Sequence, residues 1–417
     1  MKTEAFCATL PKTVEDVTFL DKNAFTLALR EFLRKNEEAS RRFVRDSAKR
    51  DAWFVCRRFR PTADLCIDGR VQDFGQAIGV PVGILEMFRS KGSTIRLTNA
   101  AYRARCAKSV RSVAASHEGE DFAEMRMFTA HHSASRPETA SCAAWEHRTD
   151  DALADAQERC HELNFVWRGR MVAFPVLIDT DLDAITLFGP GGNFPVERLV
   201  RRLRQDEPPD TKAIVDALHQ VFPSNWEPIA HLPKAVREEF HVELAERVKA
   251  NVAFVRDVIA SERPVELLEH NERLIFVGRH ADWIDEHNTV FLIDDTEGEE
   301  AFASFRIALK YVAKNVILDA IFERECDWKI PVIVNIPHDG DDDARDAVLH
   351  ARTLRDRLRE TIERCALELV AFLRGPHGID PKQLPDWMFR EMFSIQEHVE
   401  IATCTSERAT RLYVPFA

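Results

Sequence analysis

The segment "ADLCIDGR" at 63–70 sets a cysteine, an aspartate and an arginine two residues apart, at Cys66, Asp68 and Arg70. In an extended chain successive side chains alternate, so these three share one side. Gly69 lets the chain turn there. A thiolate needs positive charge nearby to exist at neutral pH, and Asp68 would largely cancel what Arg70 supplies. A metal ion removes the conflict: zinc holds the thiolate while Arg70 clamps the carboxylate. The remaining ligands should be histidine or cysteine. Downstream, "HHSASRPETASC" places His131 and Cys142 eleven residues apart. One His and two Cys leave a fourth tetrahedral position open, the arrangement of a catalytic rather than a structural zinc site. The spacing leaves two other readings open: ordinary core cysteines, and the pair Cys160–His161.

Elements must exist to bring such residues together. The chain has 417 residues, 45% of them apolar, enough for two or three domains with real cores. Acids exceed bases by 69 to 57, and the net charge of −12 argues against a protein that coats nucleic acid or anionic lipid. No stretch reaches the roughly 20 apolar residues of a membrane span. The N-terminal residues lack the apolar core of a signal peptide. Nine cysteines, an odd number on a long chain, do not form the pattern of a secreted disulfide framework, which predicts a reducing cytoplasm.

Apolar residues at helical spacing predict a helical segment over 21–50. The runs "WFVC" (53–56), "ADLCI" (63–67) and "VAFPVLIDT" (172–180) predict strands, with a helix over 150–163. Clustered prolines at 205–235 predict a boundary. Beyond it, strands are expected at 273–278, 289–294 and 330–336, and helices at 299–323 and 344–373. Strands alternating with helices give the α/β class. The expected organisation is an N-terminal helical segment (1–50), a zinc-binding catalytic domain (51–225) and a second α/β domain (226–417). The last shows no Cys-x-Asp-x-Arg and reads as a metal-free α/β domain; whether it is a diverged copy of the first the sequence leaves open. Asp179, Asp181 and Asp183 read as a strand end and turn, and "GPGGN" (189–193) as a loop after a strand.

The pattern Cys-x-Asp-x-Arg, then a His, then a Cys, resembles the β-class carbonic anhydrases. The segments "HHSASRPETASCAAWEHRTDDALADAQERC" and "VLIDTDLDAI" narrow the likeness to the divergent branch known as the shell-associated carbonic anhydrase of α-carboxysomes. The likeness runs from about residue 45 onward. It implies a β-carbonic-anhydrase-like catalytic domain and reversible hydration of carbon dioxide to bicarbonate by a zinc-bound hydroxide. Cys66, His131 and Cys142 then match the Zn²⁺ ligands, and Asp68 and Arg70 the catalytic dyad beside the metal. Asp68 would accept the hydroxide's hydrogen bond, and Arg70 would hold Asp68 ionised and off the metal. His132 is the candidate proton shuttle, with His147 behind it. The family implies a homodimer, and as partners a carboxysome shell or Rubisco.

Two departures stand out. Cys142 is followed by Ala-Ala-Trp where the branch usually has Ala-Ala-His, which bears on proton transfer or local packing. The sequence opens almost directly on its helical segment, without the long basic extension associated with carboxysome docking, so free cytoplasmic residence is the expectation beside the carboxysomal one. Two rival functions share the motif: the zinc subunit of an inorganic-carbon uptake complex, and a non-enzymatic assembly or scaffolding protein with a stabilising zinc.

Overall fold

A computed structural model divides the chain into two compact units, one spanning Arg45–Glu269 and the other including His270–Ala417. It describes residues 57–261 apart from short gaps at 68–70, 72–73, 82–83, 100–101, 105, 108, 111–121, 136–141 and 205–206. In the second unit it describes five strands and a few helical residues between 305 and 361. The segment 1–50 and the strand expected at 53–56 lie outside the described residues.

The first unit is built on a six-stranded mixed sheet in the order β2-β1-β3-β4-β5-β6. Its strands are β1 (Phe59–Cys66), β2 (Glu86–Ser90), β3 (Ala123–His132), β4 (Met171–Asp179), β5 (Ala184–Gly189) and β6 (Gly192–Pro195). The first four run parallel, and β5 and β6 turn back as antiparallel additions. Strand β4 shows why the sheet is buried on both faces. Val172, Phe174, Val176 and Ile178 point into one apolar core, while Leu177 packs with a smaller cluster on the other side.

Helices cover both faces. Helix α2 (Thr149–Val166) lies against β3 and β4. On the opposite face sit the short α1 (Phe74–Ala77), α3 (Val196–Arg202), α4 (Thr211–Val221), α5 (Glu227–Ala230) and the long α6 (Lys234–Ala260). Val236, Phe240, Leu244, Val248, Val252 and Val255 of α6 recur every three or four residues and bury one continuous stripe in the core. The compact unit therefore runs on to Glu269, past residue 225. The prolines that suggested a boundary instead start helices: Pro228 lies in the first turn of α5, and Pro233 caps α6.

The second unit carries β7 (Leu274–Gly278), β8 (Thr289–Leu292), β9 (Ile330–His338), β10 (Phe393–Ile401) and β11 (Arg411–Val414), in the order β11-β10-β9-β7-β8. Here too four strands run parallel and the last, β11, turns back. No helix among the described residues is long and apolar enough to cross a membrane.

Candidate metal centre

In the first unit the chain leaves β1 for β2 on one side, then crosses to β3 on the other. Connections that depart in opposite directions open a crevice at the carboxyl ends of the two central strands, where open α/β sheets bind their ligands. Cys66 is the last residue of β1, and His131 is the next-to-last of β3. Both therefore arrive at that crevice. Cys142 is delivered from outside the sheet by a short 3-10 turn, Ala143–Trp145, just ahead of α2.

The three potential ligand atoms lie within 4.8 Å of one another, and all three residues are buried, at 4%, 1% and 5% exposure. The two sulfurs are 3.7 Å apart. That is far beyond the roughly 2.05 Å of a disulfide. It is close to the edge of a tetrahedron with metal–sulfur bonds of about 2.3 Å, which works out at about 3.8 Å. Among the described residues this is the one group of three or more His, Cys, Asp and Glu side chains that could hold a metal ion. The alternative pair is not brought together: Cys160 is buried in α2 while His161 is exposed. The core cysteines differ in character from the pair that meets. Burial pushes the Cys106 thiol up to about 12 and raises the Cys160 thiol too, so both stay protonated.

The segments bearing the ligands are tied to one another. The Asp64 carbonyl accepts from Ser93 Oγ at 2.9 Å and from Thr129 Oγ1 at 3.0 Å, which fixes β1 against β3 just short of both ligands. The Cys142 carbonyl accepts from the Trp145 and His147 amides at 3.0 and 3.2 Å. The Trp145 indole donates to the Gly92 carbonyl at 3.2 Å, linking the Cys142 turn to the chain that leaves β2. Trp145 thus serves local packing. Glu146 and His147 both sit at positive φ, 51° and 63°, a left-handed pair that non-glycine residues rarely adopt.

His132 ends β3, half-buried, in register with Asp179 of β4 and close to Asp181. Those aspartates end β4 and begin its turn, and they hold the chain that follows His132. Asp181 accepts from Ser133 Oγ at 2.6 Å and from the Ser135 amide at 2.7 Å, while Asp179 accepts from the Ala134 amide at 3.3 Å. The Ser133 and Ser135 hydroxyls and the Ser135 amide keep the Asp181 carboxyl below its usual range despite partial burial, whereas burial raises Asp179. His147 is exposed. Asp68 and Arg70 lie outside the described residues.

Beneath the centre, β1 and β3 enclose a polar network. Arg126 donates to Asp64 at 2.6 Å and to Glu124 at 2.9 Å, Tyr102 donates to Asp64 at 2.8 Å, and Thr62 donates to Glu124 at 2.7 Å. The Arg126 guanidinium also lies 4.4 Å from the centre of the Phe88 ring. Sequence reasoning missed this network and Arg89 alike. The available signal was a charge inside an otherwise apolar run, at Arg126 in "MRMF" and Arg89 in "MFRS". A cavity of about 540 Å³, lined by Cys160, His161, Phe165, Phe188 and Trp226 among others, includes none of the three candidate ligands.

Compared with known proteins, the chain matches no family model and no curated sequence.

Proposed function

We propose that the protein is a zinc-dependent carbonic anhydrase of the divergent β type, hydrating carbon dioxide reversibly to bicarbonate. The observation that carries this reading is the meeting of Cys66, His131 and Cys142 at the crevice between β1 and β3. Two thiols and an imidazole suit zinc, and the 3.7 Å sulfur separation fits its tetrahedral geometry. Three ligands leave a fourth position, as a catalytic site requires. When bound, zinc supplies Lewis acidity, making a hydroxide-like nucleophile available near neutral pH.

The chain's own residues do the rest. Cys66 and Cys142 as thiolates balance the divalent charge, and the buried His131 ring completes the set. In this reading Asp68 accepts a hydrogen bond from the attacking oxygen and orients it, and Arg70 keeps that carboxylate ionised and turned aside. His132, next to a ligand and facing Asp179 and Asp181, passes the proton outward. Homodimerisation, and residence in a carboxysome beside shell or Rubisco, belong to the same proposal.

Stopped-flow hydration of carbon dioxide by zinc-loaded protein tests the reading. A rate well above the buffer background, rising with pH, is the expected result. Stoichiometric zinc with no activity at any pH would sink it, in favour of a partner-dependent subunit or a stabilising zinc. Asp68→Ala should abolish turnover while zinc content and melting temperature hold.

A further inference from the structure

The connection that leaves Cys66 is pinned by a side chain from a different strand. Arg89 of β2 is 4% exposed. Its Nη1 donates to the Cys66 carbonyl at 2.8 Å, and its Nη2 donates to the Val71 carbonyl at 3.0 Å. A guanidinium is a rigid planar fork, so two acceptors bound to its two tips are held at a fixed spacing. The chain that departs at Cys66 therefore returns to the same group by Val71. Those two residues bracket positions 67–70, which include Asp68 and Arg70 of the sequence pattern.

The base of the fork is itself fixed. Arg89 pairs with Leu65 in the β1–β2 ladder, and the ladder extends one step further where the Ile67 amide donates to the Ser90 carbonyl at 3.1 Å. Val71 is fully buried and Cys66 nearly so, and carbonyls in such surroundings need a donor. A charged donor bonds them more strongly than a neutral one would. The backbone of the first ligand is thus held by β2 in two ways, through the ladder and through the Arg89 side chain.

We propose that Arg89 is a positioning residue of the metal centre: by holding the Cys66 and Val71 carbonyls on one guanidinium, it fixes the Cys66 backbone and so aims its sulfur at His131 and Cys142. This inference rests on reading the triad as a metal centre; it does not require carbonic anhydrase activity. A lysine at 89 keeps the charge but presents one ammonium on a flexible stem, and cannot hold two carbonyls at a fixed spacing. Residues that orient a metal ligand typically contribute about 10–100-fold in metal affinity.

The test loads the full-length chain with Co²⁺, whose thiolate charge-transfer and ligand-field bands report the geometry of the sulfur ligands. Affinity is read by competition with a chelator. The control is Arg247→Lys, because Arg247 is also a buried guanidinium and donates to two carbonyls, those of Ile78 and Gly79 at 3.2 and 3.1 Å. Arg89→Lys should bind Co²⁺ about 10–100-fold more weakly with shifted bands. Arg247→Lys should lower the melting temperature and leave the cobalt spectrum as in the parent. Parent-like affinity and bands in Arg89→Lys would overturn the proposal, as would equal changes in both variants. Arg89→Gln serves as the second variant if Arg89→Lys does not fold. Failure of both to fold assigns Arg89 a merely structural role and also overturns it. A parent chain that takes up no Co²⁺ at Cys66, His131 and Cys142 defeats the metal reading itself, and this inference with it. A parent that binds Co²⁺ but hydrates no carbon dioxide defeats only the activity.

Discussion

The two sheets of this chain follow one plan and differ at the one place where chemistry would be done. In the first, the order β2-β1-β3-β4 is parallel and β5 returns antiparallel; in the second, β8-β7-β9-β10 is parallel and β11 returns antiparallel. Each therefore opens a crevice at the carboxyl ends of its first and third strands. In the first sheet β1 ends in Asp64-Leu65-Cys66 and β3 in Ala130-His131-His132. In the second, β7 ends in Phe276-Val277-Gly278 and β9 in Ile336-Pro337-His338. A glycine stands where a sulfur would be needed. The shared topology fixes where a site can be built, and particular residues decide whether one is.

Making the first crevice resemble the second gives the largest expected effect. Cys66→Gly should leave no metal on the first unit after dialysis and reduce carbon dioxide hydration to the buffer background, as checked by metal analysis and stopped-flow. Metal that stays stoichiometric in this variant would place it elsewhere in the chain.

The next largest effect lies under the centre. Where β7 has Phe276, two residues from its end, β1 has Asp64, and that choice obliges the sheet to bury Arg126 and Glu124 as well. Arg126→Leu leaves two buried carboxyls without their cation and should destabilise the first unit by about 3–5 kcal/mol in denaturant unfolding. Burial already raises the Glu124 pKa, and Arg126 is the foremost influence opposing that rise. A carboxyl with a raised folded pKa favours the folded state only when protonated, so stability falls as pH climbs through that window. The penalty in Arg126→Leu should therefore shrink as the solution is acidified toward about pH 4.5 and level off below it, where Glu124 is protonated in the unfolded chain as well. A penalty that does not change with pH would mean Glu124 is not the group left stranded.

The same buried charges explain what the sequence hid. Strands β4, β7 and β8 were legible because their apolar runs are unbroken, β9 because only Asn335 interrupts its run, and α2 because its acidic start and spacing are those of a helix. Strand β3, which carries His131, was not: Glu124 and Arg126 give it a surface-like alternation although both are fully buried. Strand β2 was missed because Arg89 and Ser90 interrupt a five-residue run. Helix α6 was lost behind Pro223, Pro228 and Pro233, which read as marks of a domain boundary. That Cys66, His131 and Cys142 could share a metal ion was legible from two cysteines and a histidine standing in the order of the resembled motif. Residue spacing could not show that Trp145 would bond the Gly92 carbonyl, since those positions lie 53 apart in sequence.

That bond leads to a smaller effect. Gly92 lies at φ 60°, and a Cβ placed there would meet the Ala144 Cβ at 2.7 Å and the Trp145 Nε1 at 3.0 Å. Both the backbone and the packing of the Cys142 turn depend on its having no side chain. Gly92→Ala should cost about 1–3 kcal/mol of stability in the first unit and weaken Co²⁺ binding. Trp145→Phe, which keeps the ring but loses the donor, should cost about 1 kcal/mol. A Gly92→Ala chain with parent affinity for Co²⁺ would show that the Cys142 turn is held by other contacts.

The smallest expected effect is a pH term that belongs to the first unit and has no connection to its site. His241 of α6 is buried, its ring 3.6 Å from that of His219, with Nε2 2.6 Å from the Phe222 carbonyl. Burial pushes its pKa below the usual 6.5, and His219 adds to that, against the hydrogen bond to Phe222. The unfolded chain then binds the proton more readily than the folded one, so stability rises with pH across this window. The full contribution is present above about pH 6.5 and is lost as the pH falls toward the folded value. Trp226, whose ring is 5.6 Å from that of Phe222, reports the neighbourhood by fluorescence. Unfolding followed at that signal should weaken between neutral and mildly acidic pH, and His241→Gln should flatten the slope. An unchanged slope in His241→Gln would assign the pH dependence to another group, and the metal affinity of this variant should match the parent's, because His241 sits on the opposite face of the sheet from the Cys142 turn and α2.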